Sequence, residues 1–119
     1  MTVRTELGSA VDPPRSRRSP LQTRTATYPD RVTAQWATQQ VVTHNEQVIH
    51  RWLAQSTRPR LTIEAAWPSR EEPVGRVLLQ AMMLAGRGSV DVRAARVVLR
   101  REPSVAHGFA VHATFPVYL

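Results

Sequence analysis

The hydrophobic residues change period part-way along the chain, and that switch limits the fold more than any other feature. From Val32 to Leu53 the apolar residues Val32, Trp36, Ala37, Val41, Val48, Ile49, Trp52 and Leu53 recur mostly at steps of three, four or seven. That spacing places side chains on one stripe of a helix. Tyr28-Pro29-Asp30 leads into the stripe with Asp30 suited to be its N-cap. Thr43-His44-Asn45 is where it can divide into two helices. After Ser56-Thr57-Arg58-Pro59 the period becomes two: Leu61, Ile63, Ala65 and Trp67 alternate with Thr62, Glu64 and Ala66, as in a strand with one packed face.

The rest of the chain continues in strands. Val74 to Leu79 and Val90 to Glu102, centred on Val97-Val98-Leu99, each read as one strand, and Phe109 to Val117 as the last. Ala81 to Ala85 before Gly86-Arg87-Gly88 fits either a short helix capped by Gly86 or an apolar loop lid. Helices first and antiparallel strands afterwards predict an α+β fold. With no cysteine in 119 residues, there is no disulfide framework, thiolate nucleophile or Cys-based metal site, so a packed core must hold the fold. Trp36 and Trp52 are expected in that core. His44 and His50 are not spaced i, i+4, which leaves them as surface residues rather than a metal pair. No metal and no cofactor are predicted.

The N-terminal stretch differs in kind. Leu7 to Arg24 holds Pro13-Pro14, Pro20 and four arginines with few apolar side chains, too little burial to offset its ordering entropy. Residues 1–25 are therefore expected to be a basic arm, or a truncated or divergent N-terminal part, and residues 26–119 the folded domain. Neither a signal-peptide apolar region nor a run of about 20 apolar residues long enough to span a bilayer is visible.

The charge is lopsided: 16 basic residues, all arginine, face nine carboxylates for a net +7. Without lysine, Schiff-base chemistry is excluded. The excess gathers at both ends, with six arginines against Glu6, Asp12 and Asp30 in residues 1–31 and seven against four acids in residues 70–119. Arginine forks match phosphate and release counterions from a polyanion; a GC-rich coding bias toward arginine would leave the same mark.

Five collinear segments are similar to a known family. They are Thr27-Tyr28-Pro29-Asp30-Arg31-Val32-Thr33-Ala34-Gln35; Asn45 to Trp52-Leu53; Glu72-Pro73-Val74-Gly75-Arg76-Val77; Ala95 to Pro103; and Gly108-Phe109 to Phe115-Pro116. Together, over about residues 15 to 117, they resemble the RNase A-like toxin domain found at the C-terminus of contact-dependent growth inhibition proteins and other bacterial polymorphic toxins. The resemblance implies a disulfide-free α+β fold, metal-free RNA cleavage, a cognate immunity protein as partner, and delivery as part of a secreted toxin into the target-cell cytoplasm. A stand-alone remnant would stay in the cytoplasm of its own cell. In that reaction a base assists attack of the ribose 2′-OH on the adjacent phosphate, an acid protonates the leaving 5′ oxygen, and donors stabilise the added negative charge.

The active-site residues depart from the family pattern. Family members begin with a His-x-x-Lys-Thr block followed by an arginine, whereas no histidine precedes His44 here; alignment from Tyr28 puts the arginine near Arg15 and the histidine near Arg4. The last-strand pattern Thr-x-Tyr-Pro reads Ala113-Thr114-Phe115-Pro116, so both hydroxyls are absent. The resemblance thus implies a ribonuclease-like endonuclease with a degraded or truncated site; the alternative is a non-catalytic basic module that binds RNA or an immunity protein.

Unbroken alternation would put Phe109, Val111, Ala113, Phe115 and Val117 on one face of the last strand and Ala110, His112 and Thr114 on the other. Arg15, His112 and Thr114 are then the candidate catalytic residues, His112 and Thr114 as a replacement acid/base and hydroxyl pair. The alternative for the pair is a surface histidine beside a strand-favouring threonine. Arg76 and Arg96 are candidate phosphate contacts; they could equally be solvated strand cations.

Overall fold

A computed structural model of the chain describes residues 23–119. Asp30 caps the first helix as its position predicts: its Oδ1 accepts from the Thr33 backbone N–H at 2.7 Å, and these bonds from Thr33 hold its carboxyl below the ordinary carboxylate range. The periodic stripe forms two helices, α1 (Arg31–His44) and α2 (Glu46–Gln55). Asn45 between them donates from Nδ2 to the Val41 carbonyl at 2.7 Å and to the Glu64 carbonyl at 3.0 Å, so the helix break is tied to the neighbouring strand. Not all of the stripe is inside. Ala37, Val41, Ile49 and Trp52 are buried, but Val32 is 75% exposed and Val48 39%, since Val32 lies about 180° round the helix from Val41 and Val48 about 100° from Ile49.

Among the described residues, six strands make two antiparallel sheets. The first orders β1 (Thr23–Thr27), β3 (Gly75–Leu79) and β4 (Val90–Val92) as β1-β3-β4; the second orders β2 (Arg60–Ala66), β5 (Ala94–Arg101) and β6 (Phe109–Pro116) as β2-β5-β6. The stretch Val90 to Glu102, expected as one strand, is two strands in different sheets. The chain changes sheet at Arg93, whose guanidinium donates to the Arg70 carbonyl at 2.7 Å and the Glu71 carbonyl at 2.8 Å. Strand β1 starts at Thr23, inside the segment expected as an arm; its partners on β3 supply the pairing that its own sequence of polar threonines does not advertise. Residues 80–84 form a short helix, α3 (Gln80–Leu84), closed by Gly86 at φ 73°.

The main core lies between α1, α2 and one face of the second sheet. Ala37, Val41, Ile49 and Trp52 meet Ile63, Ala95, Val97 and Leu99 there, with Tyr28, Trp36, Leu61 and Phe109 packed at its border. Arg101 closes its lower corner. It stacks 5.0 Å above the Trp52 ring and donates to the carbonyls of Trp52, Ser56 and Arg58, which pins the end of α2 to the chain that follows it and places a cation at the helix C-terminus. A smaller core joins Ala94, Phe115 and Val117 to Ala26 and Ala113. Gly75 lets the two sheets approach closely, since a Cβ there would stand 2.5 Å from Pro116 Cγ of the other sheet and 2.7 Å from the Thr27 carbonyl oxygen of its own.

Candidate functional site

The last strand does not alternate without a break. Ala113 pairs with Val98 and Val111 with Leu99, leaving His112 unpaired at a β-bulge. Val98 and Leu99 are consecutive and face opposite ways, so Ala113 and Val111 do too. Phe109 and Val111 therefore share the helix side with Thr114, while Ala113 and Phe115 face away. This corrects the expectation of a single Phe109-to-Val117 apolar face: one inserted residue reverses the pattern beyond it.

Thr114 faces the core border, where its hydroxyl is enclosed. Thr38 Oγ1 donates to the Ala34 carbonyl at 2.7 Å. Having spent its one proton, Thr38 accepts from Thr114 at 2.7 Å, and Thr114 in turn accepts from the Tyr28 phenol at 2.7 Å. The direction Tyr28 to Thr114 to Thr38 to Ala34 follows from each hydroxyl having one hydrogen. Burial raises the Tyr28 phenol above its ordinary range despite these hydrogen bonds. Thr114 thus joins β6 to α1 and to the turn before it. His112 is exposed, and its side chain forms no hydrogen bond or ion pair with the described residues; His44 and His50 are exposed as well.

The opposite face of the second sheet is open except at its Ala94–Phe115 end, which the smaller core covers. Even-numbered residues of β2 and β5 point there: Arg60, Thr62 and Glu64 lie opposite Arg100, Val98 and Arg96, and Phe115 and Ala113 lie opposite Arg96 and Val98 on the other side. The buried Phe115 ends this face beside β1, where Ala26 packs on it. Arg96 Nε donates to Glu64 Oε2 at 2.6 Å and its Nη2 reaches the same oxygen. Arg76 lies on the other sheet. Its Nε donates to Ser89 Oγ at 2.9 Å, its Nη2 to the Ser89 carbonyl at 3.2 Å, and its Nη1 stands 3.5 Å from Asp91 Oδ1. Both proposed phosphate contacts already have partners, and the fold puts them on different sheets. Arg15 lies outside the described residues.

Among the described residues no cluster of three or more histidine, aspartate or glutamate side chains could hold a metal, and no helix is long and apolar enough to cross a membrane.

Residues 14–116 match the family model described as the bacterial CdiA-CT RNase A domain. The chain belongs to this family. A crystal structure of a CdiA-CT/CdiI complex from Y. kristensenii has the same fold: it superimposes with a TM-score of 0.70 at 21% sequence identity, covering 85% of this chain and 82% of that one. No curated protein matches. The RNase A-like α+β architecture expected from the five segments is thereby established, and with it membership in a ribonuclease toxin family of contact-dependent growth inhibition. Sequence reasoning missed the bulge at His112 and the Tyr28–Thr114–Thr38 chain. The three hydroxyl residues were visible, but 76 residues separate Thr38 from Thr114, and no local spacing links them.

Proposed function

We propose that this chain is the RNA-engaging domain of a toxin delivered into a target bacterium, that a cognate immunity protein neutralises it, and that it binds RNA better than it cuts it. The observation that carries the reading is the open face around Arg96, where Ala113 and Phe115 occupy the family's threonine and tyrosine positions. Neither side chain can donate a hydrogen bond to the phosphate that gains charge in the transition state. Arg96 offers a guanidinium to a phosphate once Glu64 releases it. Arg15 corresponds to the family's catalytic arginine and would supply a second cation. Thr114 acts by holding β6 against α1, since its proton is committed to Thr38. His112 is the one histidine on the last strand and the candidate general acid or base of whatever cleavage persists. The immunity partner is supported by the CdiA-CT/CdiI complex in which the same fold was crystallised.

The test is a cleavage assay on ribosomal and transfer RNA with nuclease-free protein, run beside a binding assay. Binding with at most slow cleavage is expected. Rapid turnover that His112→Ala abolishes, while His44→Ala and His50→Ala do not, would establish an active ribonuclease and overturn the reading of a weakened site.

A further inference from the structure

On the open face of the second sheet, two arginines stand directly opposite each other. Arg60 of β2 is the cross-strand partner of Arg100 of β5, and both belong to the set of residues that face away from the helices. Like charges in that relation destabilise a sheet pair. One carboxylate offsets them: Glu102 Oε1 accepts from Arg100 Nη1 at 2.9 Å, and its Oε2 accepts from Ser104 at 2.7 Å. Among the described residues no carboxylate forms an ion pair with Arg60. On the far side Arg100 faces Ala110, a small side chain that leaves the guanidinium uncovered; Arg100 keeps 42% of its side-chain surface. Farther along the same face, the Arg96–Glu64 pair is internally neutral. The uncompensated positive charge of this face therefore sits at its Arg60 end.

We propose that Arg60 and Arg100 form a phosphate subsite for single-stranded RNA, separate from the Ala113–Phe115 region. The subsite rests on the RNA reading above and extends it. A phosphate between the two guanidiniums relieves their repulsion and accepts hydrogen bonds from both. Arg96 and Arg100 are four residues apart on β5, about 13 Å at the usual strand rise. A strand with one phosphate at Arg96 must therefore extend past it to place a second phosphate at the pair. A dinucleotide, with one phosphodiester, cannot occupy both places. Binding is thus length-dependent, and the pair sets how much single strand the domain engages.

The test measures binding of the full chain to 2′-O-methyl oligouridylates, which lack the attacking hydroxyl, as a dinucleotide and as a hexanucleotide over a range of salt. The Arg60→Gln/Arg100→Gln protein should bind the hexanucleotide about tenfold more weakly, and its log–log salt slope should fall by about 0.7 for the lost phosphate. Its dinucleotide affinity should be unchanged. Glu102→Gln, which frees Arg100, should tighten the hexanucleotide severalfold and gives a gain that misfolding cannot imitate. Arg87→Gln, on the exposed loop after α3, controls for net charge and should leave both affinities near the parent's. A hexanucleotide affinity unchanged in the double variant, or an equal loss in Arg87→Gln, overturns the subsite while leaving RNA binding intact. A parent that binds no hexanucleotide even at low salt removes the RNA reading itself. A poly-glutamate probe that loses affinity for the double variant while the hexanucleotide does not would assign the pair to an acidic protein and overturn the proposal.

Discussion

The second sheet has two faces built from the same three strands, and they do different work. Under the helices, Ile63, Val97 and Leu99 are 0–3% exposed, and the polar groups at the border satisfy one another in the Tyr28–Thr114–Thr38 chain. On the other side, Arg60, Glu64, Arg96 and Arg100 stay in contact with water, and their carboxylate partners leave them short by one charge. Apolar burial stabilises the fold, whereas exposed ion pairs contribute little to it. A face that spends arginines without gaining stability is free to be shaped by what it binds. Arg93 and Arg101 make the contrast sharper. Their guanidiniums are consumed by backbone carbonyls at a sheet crossover and a helix end, so a uniform count of cations overstates the charge available to any polyanion.

The contrast can be broken most directly on β5. Leu99→Ala should cost about 2–5 kcal/mol in urea unfolding, and Val98→Ala, one residue away on the open side, less than half as much; equal losses would mean that the open face is a second core. Next comes the seam between the sheets. Gly75→Ala should destabilise by about 1–3 kcal/mol because its Cβ collides with Pro116 and the Thr27 carbonyl. Gly88→Ala, with nothing within 4 Å, is the neutral reference, and similar melting of the two variants would contradict this close contact.

The hydroxyl chain should matter less. Removing its first donor with Tyr28→Phe is expected to cost about 0.5–1.5 kcal/mol, and a double-mutant cycle with Thr114→Val should show strong coupling. Because burial raises the Tyr28 phenol above its unfolded value near 10, its contribution is complete below that value and disappears as pH rises through the folded one. Alkaline unfolding should therefore be shallower in Tyr28→Phe, and an identical pH profile would refute the burial of the phenol. The smallest effect belongs to the open face: Arg96→Gln should change stability by about 0–1 kcal/mol and respond to salt, while a loss comparable to Leu99→Ala would show that the ion pair is structural.

Much of this arrangement was legible along the chain. Periods of 3.6 and two identify α1, α2 and β2 because each depends on a local alternation of burial, and the Asp30 cap is likewise a matter of neighbours three residues apart. The replacement of the family's last-strand hydroxyls by Ala113 and Phe115 is visible for the same reason. Other features needed the fold. Val90 to Glu102 looks like one strand because both halves are rich in valine, and only pairing with β3 and then with β2 divides it at Arg93. The direction of every side chain on β6 depends on one unpaired residue, His112, whose insertion is defined by partners on β5. Residue type and local period determined which elements form; register between distant strands decided which hydroxyls are enclosed and which arginines remain in water, because pairing is a relation between segments that neither segment encodes alone.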